Sequence, residues 1–156
     1  MPTPTPTPTP EKPRFTSDDG RIEGVIDQIW RRQALGLPER TPQPGHDFVV
    51  VRLTIVSIKS GHIGQSKTST VIGNDGGEYT QVSSFWQGFK ACNPHDITLG
   101  LELAEGSEGE ITFEMPEQVQ PATLKFAYQS FESWDESCQP AFPEERRMDI
   151  DLQWGL

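Results

Sequence analysis

The segment from Asp47 to Lys59, DFVVVRLTIVSIK, constrains the fold most, because no other part of the sequence is as continuously apolar and β-branched. It predicts a central strand. Apolar residues recur at every second position on one face, and the other face is partly apolar as well. The first face carries Val49, Val51, Leu53 and Ile55, and the second carries Phe48, Val50, Val56 and Ile58. Such a strand must be covered by at least one further sheet.

Turn-forming residues divide the rest of the chain into short elements. The 156 residues include 14 prolines and 14 glycines, and only 33% of the residues are hydrophobic. This composition favours β structure and allows one domain with one core.

Three later segments alternate between apolar and polar residues: Glu110 to Met115, Thr123 to Gln129 and Met148 to Trp154. Arg21 to Trp30 also fits a helical stripe, but Gly24 and the β-branched residues favour a strand there. Strands with one wet face form antiparallel sheets that pack as a sandwich. The sequence therefore predicts an all-β, immunoglobulin-like antiparallel sandwich of about seven to eight strands.

A hairpin is predicted around Gly73-Asn74-Asp75-Gly76-Gly77, with Ser66 to Ile72 and Glu78 to Val82 as its strands. A calcium loop at Asn74-Asp75-Gly76 is the weaker interpretation, because Glu78 is the only further carboxylate at a suitable offset. Ile97 to Leu103 predicts another short strand.

Two short helical pieces are also predicted. Ser83 and Ser84 precede Phe85 and Trp86 in a pattern typical of a short capped helix. One helical turn is predicted at Arg31 to Leu35, within a long connection that is rich in proline and glycine.

The first ten residues contain a strict Pro-Thr repeat, which predicts a stiff, polyproline-like spacer. We divide the chain into a spacer at residues 1–16, expected to be disordered, and one domain at residues 17–156. Such spacers often separate a membrane anchor from an outward-facing domain. The expectation is therefore an extracytoplasmic protein, on the cell surface or secreted, whose N-terminal anchor or signal is missing from this sequence.

The formal charge of −10 argues against two classes of partner. Nucleic acids and anionic membrane surfaces are bound chiefly by lysine and arginine, which number 13 here against 23 acidic residues. No apolar run is long enough to cross a bilayer. Membrane association is therefore expected only through the missing anchor.

The two cysteines, Cys92 and Cys138, lie in polar segments and predict a disulfide in an exported protein. Two alternatives remain open. Cys92, His95 and Cys138 could supply part of a zinc site, for which the fourth ligand is not obvious although His46 and His62 exist. Cys92 and His95 could also form a nucleophile and base pair, against which the rigid Pro94 argues.

Three segments resemble a bacterial family in their order: Gly45 to Ile55, Ile72 to Tyr79, and Leu101 to Pro116 with its Gly-Glu-Ile-Thr-Phe-Glu-Met-Pro ending. The chain is similar to the extracytoplasmic immunoglobulin-like domain of unknown function found in many lipoproteins. That family is similar in fold to an immunoprotective extracellular antigen of mycobacteria. The sequence departs from the pattern at Ala104, where proline is usual, and at Ser57 or Ser60, where asparagine is usual. The resemblance implies an anchored sandwich and carries no catalytic residues.

Four aromatic residues form the candidate ligand site: Trp86, Phe89, Phe131 and Trp134. If the disulfide brings their loops together, they could form an exposed platform for a sugar or a protein. The alternative is that they close the open end of the core. An acidic set could instead gather a divalent ion, namely Glu132, Asp135, Glu136, Glu144 and Glu145.

These observations predict a non-enzymatic binding or accessory module without a cofactor, whose partner is a protein or a cell-envelope glycan. The sequence contains no nucleophile elbow, phosphate-binding glycine loop or HExxH pair. Two alternatives are retained: a metal-binding or thiol-dependent enzyme that uses Cys92 and His95, and a purely structural spacer domain of an envelope protein.

Overall fold

The computed structural model describes residues 3–4, 12–36, 39–93, 95 and 100–152. These residues form eleven strands and contain no helix. The strands are β1 (Arg14–Thr16), β2 (Ile22–Arg32), β3 (His46–Ile58), β4 (His62–Gln65), β5 (Thr70–Gly73), β6 (Glu78–Gln87), β7 (Lys90–Ala91), β8 (Leu101–Glu102), β9 (Glu108–Pro116), β10 (Pro121–Phe131) and β11 (Glu144–Asp151).

Every strand pair is antiparallel, and the order in the main sheet is β1-β2-β3-β9-β6-β5-β10-β11, with β4 also paired to β10. Eight strands have four or more residues, which agrees with the predicted seven to eight. The remaining strands, β1, β7 and β8, are shorter. The predicted all-β antiparallel fold is therefore confirmed.

The main sheet folds over into two layers because β6 belongs to both. Its first residues pair with β5, and its later residues pair with β9. One layer contains β1, β2, β3, β9 and the second half of β6. The other contains β4, β5, β10, β11 and the first half of β6. The layers meet at Phe126 of β10, whose ring centroid lies 6.5 Å from Phe15 and 6.0 Å from Trp86.

Strand β3 lies between β2 and β9 and is buried on both faces over much of its length. Val49, Val51, Leu53 and Ile55 point into the core between the layers. On the other face, the connection after β2 covers Phe48, since the guanidinium of Arg40 lies 6.0 Å from its ring centroid. This connection therefore shields the Phe48 end of the second apolar face, whereas Val56 of the same face is 43% exposed.

The helix predicted after Ser83 and Ser84 is wrong. Strand β6 continues to Gln87, because Phe85 and Trp86 pair with Glu110 and Gly109 of β9. Two serines favour a helix cap only weakly, and the tertiary pairing overrides that local preference. The helical turn predicted at Arg31 to Leu35 is also wrong, since β2 extends to Arg32.

The predicted hairpin is confirmed, with β5 and β6 as its strands. Gly73 and Gly77 share a backbone hydrogen bond of 2.9 Å, and Gly76 adopts a φ of 82° that favours glycine. The chain predicted as one strand from Ser66 instead bends between β4 and β5. Part of the strand predicted at Ile97 to Leu103 lies outside the described residues, and Leu101–Glu102 forms β8.

Arg14–Thr16, which the sequence assigns to the spacer, forms the edge strand β1 and pairs with β2. Phe15 is buried and faces Gly24, where there is no side chain to exclude its ring. Most of the Pro-Thr repeat lies outside the described residues, as does Trp154. The spacer itself stays a prediction.

Candidate functional site

Strand β6 leaves one layer for the other at Gln81. Thr80 still pairs with Thr70 of β5, and Gln81 then forms two hydrogen bonds with Ser69, of 2.9 and 3.1 Å. Beyond this point β6 pairs with β9, after a shift in register between Gln81 and Ser83. Within the described part of the chain, no strand pairs with the second edge of β6 from Val82 to Gln87.

Two adjoining cavities open along this free edge, and together we call them the β6 cleft. The larger has a volume of about 550 Å³ and is lined by Gln65, Lys67, Gln81, Val82, Ser83 and Ser84. The smaller has a volume of about 220 Å³ and is lined by Gln65, Ser84, Phe85, Trp86, Phe89, Leu101 and Leu103. A cavity on the face of a strand is lined by alternate residues. Consecutive residues of β6 line both cavities, so the strand lies edge-on to the cleft.

The smaller cavity forms an apolar end to the cleft. The side chains of Phe85 and Phe89 are 60% and 38% exposed, while Trp86 between them is buried and packs on Phe126. Gly109 allows this packing, because a Cβ at that position would lie 2.7 Å from the indole of Trp86. Phe85 and Phe89 therefore give this end of the cleft an exposed aromatic surface.

The disulfide between Cys92 and Cys138 lies next to the cleft wall formed by β8. The two Cα atoms are 5.7 Å apart, and the amide of Cys92 donates a 2.9 Å hydrogen bond to the carbonyl of Gly100. Gly100 has a φ of 62°, and a Cβ there would lie 2.6 Å from the Cβ of Cys92. A glycine is therefore required where β8 begins, directly against the disulfide.

The four aromatic residues predicted from the sequence do not form one platform. Trp86 and Phe89 line the cleft with Leu101 and Leu103. Phe131 is buried and packs with Trp134, at a distance of 4.6 Å between ring centroids.

Glu102 of β8 contacts the second aromatic pair rather than the cleft. One carboxylate oxygen accepts a hydrogen bond of 3.0 Å from Trp134 Nε1. The other lies 2.9 Å from Nδ1 of His62, whose ring stacks on Phe131. This pair therefore supports the cleft wall from behind, and its assignment to ligand binding stays a prediction.

Among the apolar residues of the smaller cavity, three were missing from the predicted site, namely Phe85, Leu101 and Leu103. Trp86 and Phe89 were predicted as site residues within an expected short helix. An extended strand instead brings Phe85 to the opening. The available signal was the alternation in Ser84-Phe85-Trp86-Gln87, with one large aromatic residue on each face of a strand.

The disulfide argues against the zinc site and against the Cys92 nucleophile, because neither cysteine is free. His95 is exposed, and its backbone amide donates a hydrogen bond of 2.9 Å to Asn93 Oδ1. Pro94 lies outside the described residues. Among the residues that are described, no group of three histidine, cysteine, aspartate or glutamate side chains is placed to hold a metal ion.

Three of the five acidic residues considered for a divalent ion have other partners. Asp135 Oδ1 accepts hydrogen bonds from the amides of Ser137 and Gln139. Glu144 pairs with Arg146 at 3.2 Å. Glu145 accepts hydrogen bonds from Thr68 and Ser66, which lower the pKa of its carboxyl group.

Asp75, considered for calcium, instead stabilises the hairpin turn. Its carboxylate accepts a hydrogen bond of 2.9 Å from the amide of Gly77 and one of 3.0 Å from the hydroxyl of Tyr79. These bonds, the first making the larger contribution, lower the pKa of Asp75. The carboxylate is thus used locally, as the turn interpretation predicts.

No protein-family model matches the sequence, and a comparison with curated proteins gives no match. One solved structure with a similar fold is an uncharacterized beta-sandwich protein from Clostridium difficile 630. It is 13% identical, with a TM-score of 0.43, and the alignment covers 94% of this chain and 99% of that chain. So low a TM-score supports no inference about function. Over the described residues, no helix is long and apolar enough to cross a membrane.

Proposed function

We propose that this protein is a non-enzymatic binding module, on the cell surface or secreted, and that it binds its partner through the β6 cleft. The observation that supports this proposal is the apolar end of the cleft. There, Phe85 and Phe89 expose aromatic surface above a buried floor that includes Trp86. Exposed aromatic groups beside a concave surface are typical of recognition sites.

The proposed location is extracytoplasmic, and two features support it. A disulfide between Cys92 and Cys138 persists in oxidising compartments and is rare in the cytoplasm. The Pro-Thr repeat has the composition of a stiff stalk that would hold the domain away from a surface. The finer assignment, to the immunoglobulin-like domains of bacterial lipoproteins, is proposed from the three resembling segments.

The thiol-enzyme alternative would require the disulfide to be reduced before Cys92 could act as a nucleophile. No such step is needed for a binding role. The structural-spacer alternative predicts that the exposed phenylalanines have no partner, and one binding experiment separates it from the proposal.

The test measures binding of the protein to panels of cell-envelope glycans and synthetic peptides. The parent is compared with a double variant, Phe85→Ser with Phe89→Ser, which removes the exposed aromatic surface of the cleft. Phe142→Ser is the matched control, because Phe142 is 81% exposed and does not line the cleft. We expect at least one panel member to bind the parent and the control but not the double variant. Equal signals for all three proteins, or none, would contradict the proposed function.

A further inference from the structure

We infer that the β6 cleft takes an extended peptide segment of another protein, which adds as a strand along the unpaired edge of β6. This inference rests on the proposed function, in which the cleft is the binding site. It specifies the chemical class of the partner.

The backbone of β6 supplies the first reason. From Ser83 to Gln87 it pairs with β9 on one side, and no described strand pairs with it on the other. Half of the N–H and C=O groups of such a strand point towards the free edge. An added strand of about six residues, roughly 20 Å long, would satisfy them.

The side chains around the edge give the second reason. Phe85 and Phe89 are exposed at the apolar end, which Leu101 and the buried Leu103 also line. An extended peptide presents alternate side chains to the same face. The apolar end therefore fits a peptide with apolar residues at every second position.

A glycan fits this end of the cleft less well. Sugar hydroxyls that leave water need hydrogen-bonding partners. The side chains of the smaller cavity offer only Gln65, Ser84 and the indole N–H of the buried Trp86 for that purpose. A peptide requires fewer polar side chains, because the backbone of β6 supplies its hydrogen bonds.

Charge distinguishes the two ends of the cleft. Lys67 is the one charged side chain among the residues that line it, and it forms no ion pair with another described residue. It lies at the Gln81 end of the free edge. A peptide that runs antiparallel to β6 would bring its C-terminal residues to Lys67. The structure therefore favours a carboxylate in that part of the peptide.

The overall charge argues for a partner other than a second copy of this chain. Two copies, each with a formal charge of −10, repel one another. We therefore assign the cleft to a segment of a different protein.

The test is selection from a displayed library of random peptides on the parent protein, with counter-selection on the Phe85→Ser, Phe89→Ser double variant. We expect enriched peptides with alternating apolar residues and an acidic residue towards the C-terminal end. Each selected peptide should bind the double variant about tenfold or more weakly, and the Phe142→Ser control with unchanged affinity. Lys67→Glu should reverse the preference for the acidic residue.

Backbone recognition is tested with N-methylated copies of a selected peptide. Methylation of the amides that face β6 should weaken binding about a hundredfold, while methylation of the intervening amides should have little effect. Binding that is insensitive to methylation at every position would overturn the inference, as would the absence of enriched peptides.

The same variants identify other occupants of the cleft. A glycan that binds through Phe85 would agree with the proposed function but would overturn the inference that the occupant is a peptide. Concentration-dependent dimerisation that the double variant abolishes would show that the occupant is a second copy.

Discussion

Trp134 Nε1 donates a hydrogen bond of 3.0 Å to Oε1 of Glu102 and thereby joins the segment that carries Cys138 to strand β8. Glu102 also contacts His62 through its other oxygen, so one carboxylate connects β8 to two neighbouring segments. Leu101 precedes Glu102 in β8, lies on the opposite face of the strand and lines the cleft. The shape of the proposed binding surface therefore depends on contacts made behind it.

Glu102→Ala should lower the free energy of unfolding by about 2 kcal/mol, because the mostly buried carboxylate accepts a hydrogen bond that the indole N–H would lose. Urea unfolding measures the change. The control Glu136→Ala, at an exposed position in the same region, should cost less than about 0.5 kcal/mol. Equal effects for the two variants would contradict a stabilising hydrogen bond between Trp134 and Glu102.

Removal of the disulfide, with serine at both Cys92 and Cys138, should cost about 4 kcal/mol, because the bond closes a loop across 46 residues. Urea unfolding of the oxidised parent and the double variant gives the difference. A thiol titration of the unfolded, unreduced parent should find no reactive thiol. Two reactive thiols in protein isolated under oxidising conditions would contradict the bond.

Gly24→Ala should destabilise the protein by about 1–3 kcal/mol, because the new Cβ would lie 2.2 Å from the ring of Phe15 and 2.6 Å from the carbonyl of Thr54. Strand β1 should then detach from β2. Gly64→Ala is the matched control, since its nearest neighbour would be 3.7 Å away. Proteolysis at residues 14–16, compared between the two variants, measures the release of β1. Equal rates would show that β1 does not pack on Gly24.

Asp19 should make stability depend on pH in the acidic range. Its carboxylate accepts hydrogen bonds from Ser17 Oγ at 2.6 Å and from the amide and Nε of Arg21 at 3.1 and 2.7 Å. These bonds, that of Ser17 first, hold the pKa of Asp19 well below its usual range. The ionised form therefore contributes stability above the unfolded pKa, and the contribution is lost as pH falls towards the folded pKa.

Asp19→Asn should lower the free energy of unfolding by about 1 kcal/mol near neutral pH, after allowance for solvent screening. The difference from the parent should shrink at about pH 3, where the parent has lost part of the same contribution. Urea unfolding at both pH values measures it, with the exposed Asp18→Asn as control. A difference that grows on acidification would contradict the role of Asp19.

Much of the fold could be predicted from the sequence, because alternation along a strand reports directly which face is buried. The runs that became β2, β3, β9, β10 and β11 were all predicted as strands. The cysteine pair and the hairpin glycines followed from equally local chemistry. In each case the residues on which the prediction rests are the same residues that form the strand, the disulfide or the turn.

The cleft could not be predicted in the same way, because it depends on where β6 changes layers. That change results from pairing with β9, which is distant in sequence, whereas Ser83 and Ser84 by themselves favour a helix cap. The placement of Phe131 behind β8 depends on β4 and β10 and has no local signal either. Sequence patterns identified the aromatic residues but not the surface they share.

Amide hydrogen exchange along β6, followed by NMR, tests the central claim most directly. The alternate amides of Ser83 to Gln87 that face β9 should exchange slowly, and those that face the free edge should exchange fast. Strand β3, which is paired on both sides, should show slow exchange at consecutive amides and serves as the internal control. Slow exchange at every amide from Ser83 to Gln87 would mean that both edges of β6 are paired in this segment, and would contradict an open cleft.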